Sequence, residues 1–190
     1  MTEKDYYIIG YCVLILIGRS FAQKQRRSEK TTTQVRQIIK DPTAILMVIG
    51  AITAFTSPLI EASIRRNFDF NWFLLVLGVM IMVLGWSVIY YANKTITENW
   101  SPSIEKTEDQ KLITEGIYSV VRHPLYLSGM LILMGTNIYF QNSWSWLAII
   151  LAFVMTLYRI PREERQLEAR FGQVYVAYKQ NTKAIIPWIL

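Results

Sequence analysis

One cysteine and one histidine stand in the whole chain, Cys12 and His123. A single thiol excludes an intramolecular disulfide framework, and one imidazole without clustered thiols is too small a ligand set for a resident metal. Charge is scarce too: 18% of the 190 residues are Asp, Glu, Lys or Arg, against roughly 25% in an ordinary soluble domain. No internal repeat or low-complexity segment divides the chain. What is abundant is apolar. Hydrophobic residues make up 52% of the sequence, which points to a bilayer rather than water as the surrounding solvent.

The few charges are bunched and leave apolar blocks at Tyr6 to Gly18, Thr43 to Ala62, Phe70 to Ala92, Leu125 to Phe140 and Trp144 to Ile160. A hydrocarbon core about 30 Å thick takes about 20 helical residues. The second and third blocks supply that length, and the fourth and fifth approach it with their flanks. The first block is short enough for a signal-peptide core, but MTEKD is acidic and no small-x-small cleavage pattern follows. It reads as a short span whose Arg19 snorkels to the interface; lying in the interface instead, it would leave four spans and move the N-terminus to the cytoplasm. The expected fold is all-α: a polytopic integral membrane protein with about five transmembrane helices.

The formal net charge of +6 is placed in a way that orients the spans. The first loop carries Arg19, Lys24, Arg26, Arg27, Lys30, Arg36 and Lys40; the third carries Lys94, Lys106, Lys111 and Arg122; the tail carries Arg159, Arg162, Arg165, Arg170, Lys179 and Lys183. The opposite side keeps only Lys4, Arg65 and Arg66. This positive-inside bias puts the N-terminus outside and the C-terminus in the cytoplasm. Basicity of this kind touches anionic lipid and does not imply nucleic acid.

Residues 1–92 read as three spans and a basic connector, in which TTTQVRQIIK has the pattern of an interfacial helix, and they carry no chemical constellation. Residues 93–190 differ. A polar loop from Asn93 to Val121 meets a helical hairpin whose outer turn is only a few residues long, so its two helices run antiparallel. Their cytoplasmic ends, with Arg122, His123 and Tyr126 on one and Arg159, Glu163 and Glu164 on the other, must lie side by side. A polar loop this long is commonly functional, and this one adjoins the junction.

Three constellations lie there. Arg122-His123-Pro124-Leu125-Tyr126 has proline at a first helical position, where its missing N–H costs nothing, and the only histidine beside helix N-terminal N–H groups that favour an anion. Arg159-Ile-Pro-Arg-Glu163-Glu164 marks the exit of the fifth span, with Pro161 loosening the helix. Arg159 and Glu163 share a face, and Glu164 is more acid than one arginine needs. An i to i+4 ion pair is ordinary in water, whereas ionisable groups near hydrocarbon tend to mark function. Phe171 to Tyr178, followed by Ala184-Ile-Ile-Pro-Trp, reads as an amphipathic helix and an interfacial anchor.

The order Leu112-Ile-Thr-Glu-Gly116-Ile-Tyr118, Arg122-His123-Pro124-x-Tyr126, Arg159-x3-Glu163-Glu164 and Phe171-Gly172-x2-Tyr175-x2-Tyr178 resembles the isoprenylcysteine carboxyl methyltransferase family over roughly residues 110–187, in the manner of its small microbial members. The resemblance implies methyl transfer from S-adenosylmethionine to the carboxylate of a lipidated cysteine, with a cofactor pocket on the cytoplasmic side of the C-terminal hairpin. It implies cofactor contacts at Gln110, Lys111, Leu112, Ile113, Tyr118, His123, Pro124, Leu125, Tyr126 and Glu163, and a substrate and catalytic role for Arg159. Ser128 stands where family members often have glycine, with Gly129 following, so helix packing after Tyr126 is expected to differ by one position.

The chemistry agrees with that implication. The donor is a cytosolic zwitterion and the acceptor a lipid-tailed anion entering from the bilayer, so an interfacial site receives both. His123 and the helix N–H groups suit the cofactor carboxylate, Glu163 its amino group or ribose hydroxyls, and Leu112 and Tyr118 its adenine. Arg159 suits a bidentate hold on the acceptor carboxylate. A carboxylate is already nucleophilic at neutral pH, so neither a general base nor a metal is required.

Three other readings fit parts of the pattern. A phospholipid N-methyltransferase shares the cofactor but has an amine acceptor and less use for Arg159. An NADPH-dependent sterol-type reductase shares a His-Pro-x-Tyr group and a Tyr-rich terminus. A non-enzymatic membrane scaffold or small transporter predicts no cofactor binding and tolerance of His123→Ala and Glu163→Ala.

Overall fold

The structure is a computed structural model, and it describes residues 3–23, 42–64, 71–98, 112–141 and 145–186. Among the described residues there are six α-helices: α1 (Glu3–Gln23), α2 (Pro42–Ile64), α3 (Trp72–Glu98), α4 (Pro124–Phe140), α5 (Ser145–Phe171) and α6 (Gln173–Asn181). A 3-10 turn at Gly116–Ser119 precedes α4.

Helices α1 to α5 coincide with the five apolar blocks but exceed them. Helix α3 runs past Ala92 to Glu98, and α5 continues through Pro161 as far as Phe171. Hydropathy marks where apolar side chains end, while a helix persists as long as its backbone bonds do. Among the described residues, helix α3 alone is long and apolar enough to cross a bilayer by both criteria, over Trp72–Ile96; shorter apolar stretches run Ile8–Ser20, Ile49–Glu61 and Pro124–Phe140. The TTTQVRQIIK stretch and the anchor residues Pro187 and Trp188 lie outside the described residues.

Local chemistry sets the helix ends. Asn71 caps α3, its Oδ1 accepting from the Phe73 and Leu74 N–H groups at 3.0 and 3.3 Å. Pro124 opens α4, and Gln141 closes it in the left-handed region at φ 52°. Gly172, at φ 57°, turns the chain between α5 and α6, a conformation costly for a residue with a Cβ.

Helices α3 and α4 make the tightest contact. A Cβ at Gly78 would sit 2.7 Å from the Gly135 carbonyl, and one at Gly135 would sit 2.7 Å from that of Gly78. Small residues let two backbones approach where no hydrophobic drive separates helix from solvent. Around this contact Tyr11, Met82, Tyr139 and Phe140 form a buried core, tied across helices by the Tyr11 hydroxyl and Thr136 Oγ1 at 3.1 Å. Helix α2 packs against α4 and α5. Leu16, Ile17, Ile52, Ile60, Phe73, Met80, Leu147 and Ile150 all face outward, an apolar surface that suits hydrocarbon and not water.

Ser128 and Gly129 sit in different surroundings on α4. Ser128 is buried, and its carbonyl lies where a Cβ on Gly85 would meet it at 3.0 Å. Gly129 has open space around it and lines an apolar cleft with Ala51, Ile52, Phe55 and Leu133 between α2 and α4.

Candidate active site

The antiparallel hairpin of α4 and α5 brings His123, at the head of α4, beside the two glutamates of α5. A third segment closes the junction. After α6 the chain folds back, and the Arg122 and His123 N–H groups donate to the Lys183 and Ala184 carbonyls at 2.8 and 2.9 Å. The Tyr178 hydroxyl donates to the Tyr118 carbonyl at 2.5 Å, so α6 also holds the 3-10 turn. Gly116, at φ 59°, lets that turn approach Thr95 at the end of α3.

Glu163 and Glu164 are consecutive, so they point about 100° apart around α5, and each finds its own cation. Glu164 Oε1 accepts from Arg122 Nε and Nη2 at 2.8 and 2.6 Å, and Lys179 Nζ lies 3.0 Å from its Oε2. Arg122 also donates from Nη1 to the Lys179 carbonyl at 3.1 Å and to that of Thr182, satisfying the C-terminal end of α6. Burial alone would push the Glu164 carboxyl up; His123, Lys179 and Arg122 around it override that and bring it down to about 2. Lys179 is raised in turn by its contacts with Glu168 and Glu164.

Glu163 belongs to a second, more open cluster. Its Oε1 accepts from the Tyr126 hydroxyl at 2.7 Å and from Arg159 Nε at 2.7 Å, and the same Nε lies 2.8 Å from the Tyr126 oxygen. The Glu163 side chain stays 30% exposed against 6% for Glu164, so it is the glutamate that a ligand can reach. His123 stands between the two. Its Nδ1 is 3.9 Å from Glu163 Oε2 and its Nε2 is 3.5 Å from Glu164 Oε1. Nε2 is buried and makes no hydrogen bond among the described residues.

The residues singled out in the sequence fall into four groups. His123, Tyr126, Arg159 and Glu163 meet at the hairpin tip, with buried Pro124 opening the helix. Leu112 and Ile113 lie partly buried ahead of the turn, and Tyr118 is on it, its hydroxyl pushed up to about 12 by burial. Leu125 is exposed, so its side chain does not join the cluster. Gln110 and Lys111 lie outside the described residues.

Two features differ from expectation. Pro124 has no N–H, and the Tyr126 and Leu127 N–H groups both go to the His123 carbonyl, so among the described residues the first turn of α4 offers an anion only the Leu125 N–H. Ala184 and Ile185 do more than anchor: the Ala184 carbonyl pairs with His123, and Ile185 is buried. Sequence reasoning also left Arg122, Lys179 and Thr182 without a role; the surplus acid at Glu164 was the one signal that a second cation was needed.

The chain is similar to known proteins. The model of the family described as phospholipid methyltransferase matches residues 73–174. "Protein-S-isoprenylcysteine O-methyltransferase B" of Arabidopsis thaliana is 28% identical over 149 residues, which cover 77% of this chain and 74% of that protein. A "probable protein-S-isoprenylcysteine O-methyltransferase" of Oryza sativa subsp. indica is 30% identical over 149 residues, 75% of this chain and 76% of its own. The solved structure of the eukaryotic intramembrane Ras methyltransferase, isoprenylcysteine carboxyl methyltransferase, superposes with a TM-score of 0.61 at 28% identity, covering 75% of this chain. This chain spans about half of that one, 52% of its length.

Proposed function

The chain belongs to the phospholipid methyltransferase family, and from that membership we propose that it methylates the carboxylate of an isoprenylated cysteine or a similar lipid-tailed acid, using S-adenosylmethionine and releasing S-adenosylhomocysteine. The observation that carries the acid acceptor is Arg159, a guanidinium at the membrane exit of α5 held by Tyr126 and Glu163. A planar cation there matches a carboxylate; an amine acceptor has no use for it. Helices α1 to α5 span the bilayer with the N-terminus outside and the C-terminus in the cytoplasm, on the strength of their outward apolar faces and the positive-inside bias. Residues 1–92 are the scaffold, and residues 93–190 carry the chemistry.

The residues fit the cofactor. An almost enclosed imidazole and a half-open carboxylate offer polar contacts, and Leu112, Ile113 and Tyr118 offer apolar ones to a flat base. When bound, S-adenosylmethionine supplies a sulfonium-activated methyl group. His123 and Glu163 would hold its polar end. Arg159 fixes the acceptor carboxylate, and Tyr126 and Glu163 fix Arg159, so that position rather than proton transfer is what the protein contributes. A carboxylate acceptor is ionised at neutral pH, so methyl transfer, with S-adenosylhomocysteine as the leaving group, would ask no general base of these residues. Its lipid tail lies in the apolar cleft between α2 and α4, because Gly129 and Leu133 follow Tyr126 at helical spacing on one face of α4.

Incubating the detergent-solubilised chain with methyl-labelled S-adenosylmethionine and either an S-farnesylated cysteine analogue or phosphatidylethanolamine tests the reading. A base-labile methyl ester on the farnesylated acid is expected. Label retained on the phospholipid amine instead would overturn the acid acceptor.

A further inference from the structure

His123 lies between two carboxylates that differ in what surrounds them. On its Nε2 side is Glu164, buried, paired with Arg122 and Lys179 and close to Tyr175; on its Nδ1 side is Glu163, half-open and paired with Arg159 and Tyr126. In a neutral imidazole one nitrogen carries the proton and the other a lone pair, and the environment chooses which. Glu164 is held ionised, so its oxygens only accept. A lone pair on the buried Nε2 would face those oxygens at 3.5 Å with no donor between them, whereas a proton there faces an acceptor a small tilt away.

We propose that Glu164 is a positioning residue that fixes neutral His123 with its proton on Nε2, turning the Nδ1 lone pair and the Glu163 carboxylate into an acceptor-only pair for the ammonium end of an amino-acid ligand. The two acceptor atoms are 3.9 Å apart, a separation that neighbouring N–H bonds of one ammonium can bridge. A carboxylate placed there would meet a lone pair and a negative charge. The sparse donors at the head of α4 point the same way, since Pro124 has none and Tyr126 and Leu127 have already given theirs to His123. This reverses the orientation that the sequence suggests, in which His123 faces the ligand's carboxylate. Arg122 takes part indirectly: it holds Glu164 through two hydrogen bonds, and its N–H fixes the tail beside His123. The ligand half of the proposal rests on the cofactor reading above; the tautomer half does not.

Because His123 is the only histidine, a chain labelled with ¹⁵N-histidine and purified without a histidine tag gives ring-nitrogen signals that belong to it alone. Long-range ¹H–¹⁵N correlation spectra in micelles, at a pH where the ring is neutral, are expected to show a protonated Nε2 and an unprotonated Nδ1. A proton on Nδ1, or a fast mixture of both forms, overturns the proposal in the unmodified chain. In the double variant Arg122→Met with Glu164→Leu, which strands no buried charge, the single form is expected to give way to a mixture; an unchanged spectrum removes Glu164 from the role.

The ligand half is read by calorimetry. S-adenosylhomocysteine lacking its α-amino group is expected to bind roughly tenfold or more weakly than the parent, the scale of a hydrogen bond to a charged group. The analogue lacking the carboxylate is expected to lose less. The opposite order overturns the ammonium assignment and leaves the proposed function standing. Absence of binding by the parent compound overturns the cofactor reading and the ligand half, while the tautomer is still judged by its spectrum.

Discussion

Glu163 and Glu164 are neighbours in sequence and belong to different electrostatic clusters: Glu163 shares Arg159 with Tyr126, and Glu164 is held by Arg122 and Lys179. A single residue step, about 100° around the helix, thus separates a carboxylate that locks the fold from a carboxylate that a ligand can reach. Function is expected to follow that division.

Arg159→Lys keeps the charge and loses the planar fork. Transfer to the farnesylated acid should fall roughly 30- to 1,000-fold in kcat/KM, the range spanned by losing a close-held charge contact worth 2–4 kcal/mol. Affinity for S-adenosylhomocysteine should change little, because Glu163 and His123 remain. Parallel calorimetry and initial rates on the variant check this; an equal loss of both would move Arg159 into the cofactor site.

Glu164 sets an acid limit. Its carboxyl is depressed to about 2 in the folded chain from an ordinary value of 4.5. A depressed acid stabilises the fold fully above the ordinary value, and that stabilisation is lost as pH falls from 4.5 through 2. Thermal unfolding in detergent should therefore shift downward across that window. In Glu164→Leu, where Arg122 is left buried and unpaired, the fold should be about 3–5 kcal/mol weaker at neutral pH and this share of the acid sensitivity should vanish.

The glycines of α4 and its partner separate packing from function. Gly78→Ala puts a methyl group 2.7 Å from the Gly135 carbonyl and the Tyr139 nitrogen, both backbone atoms, and should cost about 1–3 kcal/mol as overpacking does. Gly129→Ala meets nothing within 4 Å and should leave stability equal or slightly raised. Gly129→Phe fills the cleft and should raise the KM of the lipid acceptor without changing cofactor affinity. Unfolding curves and acceptor titrations on the three variants give the comparison.

Much of this was legible in the sequence. The short turn after Phe140 forces the hairpin, and the hairpin alone puts His123 next to Glu163; the spacing of Arg159 and Glu163 gave their shared face directly. The folded-back tail was not legible, because the Lys183 and Ala184 carbonyls pair with Arg122 and His123 and a backbone bond leaves no mark on residue identity. Gly78 and Gly135 were invisible for a related reason: each apolar run holds a second glycine, Gly85 and Gly129, and only the crossing of two helices shows which pair makes contact. The tautomer of His123 depends on which side of the ring each glutamate takes, which spacing along one helix does not fix.

Calorimetric titration of S-adenosylhomocysteine into the unmodified chain, His123→Ala and Glu163→Ala measures whether one histidine and one glutamate grip the same small donor. Saturable binding by the unmodified chain, with each variant weakened roughly tenfold or more and the double variant weakened by less than the product of the two, is the predicted result. Undiminished binding in both single variants would place the cofactor elsewhere and contradict it.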